Sequence, residues 1–135
     1  MDKLQALRPV FLVFLGGGLG SIARFALSTW IISRLGSSFP FGTLTVNILG
    51  CLVIGLFIGL PSGLDSLHPT LKWACITGFL GGFTTFSAYE AESFLLILQG
   101  DFLKAGFNLG VSMILGLASV AFGMLLSRFF LFRVQ

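Results

Sequence analysis

The run 78–93, GFLGGFTTFSAYEAES, sets paired glycines, paired threonines, aromatics and two glutamates inside an otherwise apolar chain. Gly81 and Gly82, followed by Thr84 and Thr85, favour a local break in a helix. The carbonyls freed at such a break can bind a cation, and the amide end of a half-helix can face an anion. Irregular backbone at membrane depth persists only where protein or a polar cavity covers it. Phe86, Tyr89 and Glu92 follow at successive i,i+3 steps and share one face. Aromatic rings on membrane helices commonly pack or face lipid. Beside a break they can also line an ion path, because a ring edge is electropositive.

Three further polar places fall in apolar surroundings, where polar groups are costly and often functional. Arg24 lies mid-run with Ser28 one turn on. It reads either as an interfacial anchor or as a group that draws anions into a vestibule. Thr43 and Asn47 form an i,i+4 pair, continued by Gly50 and Cys51. The Asn47 amide can donate two N–H bonds, to a neighbouring helix or to a passing anion. Asn108, Ser112 and Ser119 make one stripe, with Gly116 on the same side. Enzyme signatures are missing: there is no Gly-x-Ser-x-Gly, no His-Glu-x-x-His and no embedded Ser/His pair. His68 stands alone in a loop, and Cys51 and Cys75 read as small hydrophobes without a disulfide.

The elements that must position these groups follow from composition. Only 10% of the 135 residues are charged, against about a quarter in soluble domains. Mean hydropathy is +1.01. Four windows reach the roughly 20 residues that a span needs, at about 10–33, 41–60, 73–98 and 105–127. The expectation is one all-α membrane domain of four helices, the third broken. The first window is too long for a signal peptide, and no run alternates like a β-barrel strand. Short connections predict sequential helices as antiparallel neighbours. Each window carries a small-xxx-small glycine pair, Gly16/Gly20, Gly55/Gly59, Gly78/Gly82 and Gly106/Gly110, which predicts close helix packing. Transport folds often need an inverted second half, and a second copy would supply it. Lys3, Arg8, Lys72, Arg128 and Arg133 fall on the side of the termini, and Arg34 and Lys104 on the other. The positive-inside rule therefore leans toward cytoplasmic termini. A net charge of +3 does not point to nucleic acid.

Over essentially its whole length the chain resembles the Fluc (CrcB) family of fluoride channels. The motifs are GGGLGSIARF in the first helix, FPFGTLTVNILG entering the second and GFLGGFTTFS in the third. The resemblance implies passive fluoride export through a multi-pass protein of the cell membrane, in a bacterial inner membrane. It implies an antiparallel, dual-topology homodimer with two pores, or a paired homologous subunit in place of the second copy. It implies one sodium ion at the dimer interface, held by backbone carbonyls of Gly81 and Thr84. Asn47, Thr85, Phe86, Ser87, Tyr89 and Ser112 fall at pore positions, with Arg24 and Glu92 at vestibule or structural ones. The chain departs from the family pattern in having Tyr89 for phenylalanine, Glu90 for serine and Asn108 for tyrosine. A proton-coupled small multidrug transporter is the alternative, since it too is a four-helix, dual-topology dimer. It requires a carboxylate in the first helix, which offers Arg24 and no acid.

Overall fold

The computed structural model describes residues 3–133. Lys3, counted in the charge balance above, is among the residues whose side chains lie outside the described ones. Helix α1 runs Lys3–Leu35, α2 Phe41–Ile58, α3 over 69–83, α4 Phe86–Leu98 and α5 Phe102–Arg133. A short 3₁₀ turn, Gly63–Ser66, precedes α3. No strand occurs among the described residues. Three segments are individually long and apolar enough to cross a membrane: Leu7–Leu35, Phe41–Ile58 and Phe102–Leu131.

Local chemistry sets the helix ends. Gly36 and Gly100 take left-handed φ values of 80° and 78° and stop α1 and α4. At Gly100 the Asp101 amide donates back to the Leu96 carbonyl, 2.9 Å, and the Gly100 amide to Ile97, 2.9 Å, a glycine-terminated helix end. Asp101 then starts α5, its carboxylate accepting from the Lys104 amide at 3.3 Å. The Lys104 ammonium, 2.6 Å away, and that amide hold the Asp101 carboxyl below the usual carboxylate range. His68 has a comparable capping job, its Nδ1 accepting from the Thr70 amide at 3.3 Å with Pro69 opening α3.

Glycines decide which helices touch. A side chain at Gly16 or Gly20 of α1 would collide with the carbonyls of Ala74 or Phe79, and one at Gly82 with Gly17. Gly55 of α2 meets the Val120 backbone, and a Cβ on Gly59 would sit 2.5 Å from the Met124 carbonyl. Partner numbers rise together in both cases, so α1 runs parallel to α3 and α2 parallel to α5. These pairs form the two main contacts of the fold, and α2 touches α3 only slightly. The expected neighbour relation of sequential helices therefore fails between α2 and α3: glycine faces, not loop length, choose the partner. Gly106 and Gly110 meet nothing within 4 Å, so the fourth glycine pair makes no close approach within the chain.

Helices α1, α3 and α5 also run past the expected windows, since apolar length marks a membrane core and says nothing of the interfacial turns beyond it, whereas α2 ends at Ile58, short of its window. In α3, Lys72–Leu80 is π-helical. Such a widened stretch is rare and frequent near functional sites, and the hydropathy pattern gave no sign of it.

Candidate functional site

The break lies between α3 and α4. Thr84 (φ −83°, ψ 159°) and Thr85 (φ −150°, ψ 116°) are extended. The Thr84 amide and hydroxyl both donate to the Leu80 carbonyl, at 3.0 and 2.9 Å. The Thr85 hydroxyl caps α4 by accepting from the Ala88 amide at 3.2 Å. From α2, the Asn47 carboxamide meets Thr85 face on. Its Nδ2 donates to the Thr85 carbonyl at 3.0 Å, and its Oδ1 accepts from the Thr85 amide at 2.8 Å.

These bonds redirect the helical ladder. In a continuous helix the Thr85 amide would serve the Gly81 carbonyl and the Ala88 amide the Thr84 carbonyl. Here Asn47 and the Thr85 hydroxyl take those two amides. The Gly81 and Thr84 carbonyls thereby lose their helical donors, and carbonyl oxygens are what a hard cation takes. Both residues line an open groove of about 410 Å³ with Asn47, Gly50, Thr85 and Phe86. Among the described residues no cluster of three His, Cys, Asp or Glu side chains could hold a metal.

Arg24 joins this site. Its Nε donates to the Gly82 carbonyl at 3.0 Å, and Ser21 donates to the same oxygen at 3.4 Å. The half-buried arginine is thus tied to the broken backbone, which neither an anchor nor a vestibule role had anticipated. Sequence reasoning passed over Ser21, although its place three residues before Arg24 on one face was a usable signal.

The aromatics divide. Their ring centroids are 5.8 Å apart, yet Phe86 is 72% exposed in the single chain and Tyr89 only 7%. The Tyr89 hydroxyl donates to the Leu109 carbonyl at 3.1 Å, not to Ser112. Ser112 instead donates to Asn108 Oδ1 at 3.5 Å, along its own helix. Asn108, 1% exposed, donates to Ser93 Oγ at 2.9 Å, and Ser93 donates to the Tyr89 carbonyl at 2.7 Å. Ser93 was missed as well; its i,i+4 place after Tyr89 was the available sign. The exposed Ser87 hydroxyl lies 3.5 Å from that of Thr85. Glu92 Oε1 accepts from Thr43 at 2.7 Å, while buried Oε2 has no partner among the described residues. Glu92 and Thr43 border a second cavity of about 380 Å³ with Ser37, Gln99 and Lys104. It opens at the end of the bundle formed by the α1–α2 and α4–α5 connections.

Residues 11–124, which hold every group of this site, match the family described as CrcB-like protein, Camphor Resistance (CrcB). The chain belongs to the CrcB family. A relative from Solibacter usitatus (strain Ellin6076), named fluoride-specific ion channel FluC, is 46% identical over 87% of this chain and 96% of its own. A protein of the same name from Rhizobium etli (strain CIAT 652) is 41% identical over 87% and 94%. One from Trichormus variabilis (strain ATCC 29413 / PCC 7937), also so named, is 40% identical over 95% and 94%. Family membership and the three spanning-length helices make this CrcB protein a multi-pass membrane protein.

Proposed function

We propose that the chain is a fluoride-selective channel that lets fluoride leave the cytoplasm passively and so reduces its toxicity. It is a pathway and not an enzyme. The relatives named fluoride-specific ion channel support the reading at the level of the whole chain. At the level of geometry one observation carries it: the Thr85 amide is bound by Asn47 and not by the Gly81 carbonyl.

The working unit in this reading is an antiparallel homodimer of four-span chains, with 69–98 as the third span, broken at Thr84 and Thr85. The open groove at the break and the exposed Phe86 ring leave surface for a second copy. The Gly81 and Thr84 carbonyls, released from their helical donors, suit a sodium ion at that junction. Bound there, sodium would supply a fixed positive charge where dielectric screening is weak.

Fluoride is small, hard and strongly hydrated, so a pore must replace its water with donors. One Asn47 N–H is engaged with Thr85, and the second remains for the ion. Hydroxyls of Thr85 and Ser87 add donors without a trapping charge, and Ser112 adds one on turning its hydroxyl away from Asn108. The Phe86 edge gives a weak electropositive contact, and Tyr89 presents its ring from a position fixed by Leu109. The multidrug-transporter reading lacks its requirement, since α1 carries no acidic residue.

Purified protein in liposomes, followed with fluoride and chloride electrodes, tests the function. Fluoride efflux without chloride efflux is the expected result. No fluoride efflux from folded, assembled protein overturns it.

A further inference from the structure

We propose that Arg24 is a positioning residue for the cation-binding carbonyls, acting through its Nε–H and not through its charge. The inference rests on the sodium and fluoride reading above. Four of the five peptides from Gly81 to Thr85 bear on the break, and their carbonyls fall into two sets. Those of Gly82 and Thr85 are held by side chains from neighbouring helices, Gly82 by Arg24 and Ser21 of α1 and Thr85 by Asn47 of α2. Those of Gly81 and Thr84, each one residue earlier, have lost their helical donors to Asn47 and to the Thr85 hydroxyl. The break is therefore clamped from both sides, and the clamps leave the other two oxygens for a ligand. Contact of Gly82 with the Gly17 backbone reinforces the α1 side.

The atom used decides between positioning and charge. A positive charge beside a cation site opposes the cation, so charge alone gives no reason for arginine there. Nε lies within the side chain, and it is the Nε–H that reaches Gly82. Glutamine carries its Nε2 the same number of bonds from Cα and has no charge. Methionine matches the length with no donor.

The test compares wild-type protein with Arg24→Gln and Arg24→Met as purified dimers. The first readout is thermal stabilisation as sodium replaces N-methylglucamine; the second is fluoride efflux per dimer. Arg24→Gln is expected to keep efflux and a half-stabilising sodium concentration equal to or below that of wild type. Arg24→Met is expected to raise that concentration up to about tenfold, the loss of one hydrogen bond. Equal losses in both variants would overturn the proposal in favour of charge. Wild-type behaviour of Arg24→Met would leave Arg24 without a positioning role. If Arg24→Met does not assemble, Arg24→Gln decides alone: retention supports the clamp and loss removes it. Wild-type protein that conducts fluoride without a sodium-dependent shift overturns the proposal, whereas folded wild type that conducts none fails at the channel reading itself.

Discussion

Asn47 has two donors and one oxygen, and Thr85 takes one donor and the oxygen. Asn47→Asp keeps the acceptor for the Thr85 amide but sets a carboxylate against the Thr85 carbonyl. It also puts a negative charge beside the proposed anion path. Fluoride efflux per dimer should fall to near background, with a stability loss of about 1–3 kcal/mol. Near-normal flux in assembled protein would place Asn47 outside the pathway. For the rings, Phe86→Ile should cut flux per assembled dimer strongly, more than any change in melting temperature explains, because the ring contributes little packing within the chain. Tyr89→Phe should conserve flux and lose about 1 kcal/mol for the Leu109 bond. Unchanged flux with a lowered melt for Phe86→Ile would make that ring a packing group. Residue types told much of this site, because adjacent Gly81 and Gly82 before Thr84 and Thr85 already mark a break. The partners were not legible. Asn47 and Thr85 are 38 residues apart, Arg24 and Gly82 58, and such pairings depend on helix placement that periodicity does not encode.

At the scale of elements, α1 and α3 approach as closely as their backbones permit because Gly16, Gly20, Gly78 and Gly82 have no side chains. Gly20→Leu would drive its side chain into the Phe79 backbone, which cannot move aside. Loss of monodisperse protein on size exclusion is expected, since overpacking costs about 1–3 kcal/mol or more. Gly18→Ala has open space around it and should purify and melt like wild type. If both variants behave alike, the α1–α3 seam does not depend on this glycine. Apolar run length and the glycine spacings made the helices and their small faces readable. Pairing of those faces was not, because α2 could use Gly55 and Gly59 against any small-faced neighbour and the fold supplies α5. The π-helical turns at Lys72–Leu80 were hidden too, as a widened helix keeps the same composition.

At the scale of the whole molecule, features left open by one chain bear on the proposed second copy. Phe86 stands 72% exposed, and Gly106 and Gly110 face no neighbour within 4 Å. A small-residue stripe left open on a membrane helix suits close approach by a second helix. Charges set the orientation in which that copy arrives: Lys3, Arg8, Lys72, Arg128 and Arg133 lie toward the termini, against Arg34 and Lys104. The margin is modest, and Lys3 and Arg133 sit near the chain ends, where they weigh less in topology. This lean exceeds that of an ideal dual-topology chain, yet the proposed antiparallel homodimer requires insertion both ways. Single cysteines placed near each terminus, on a background lacking Cys51 and Cys75, should therefore label from both sides of the membrane in cells. Adding two lysines to the 99–104 connection should shift the balance toward the opposite orientation. Labelling of wild type from the cytoplasmic side alone would reject dual topology and require a paired subunit of opposite orientation. In that case fluoride efflux would appear only when the second protein is supplied.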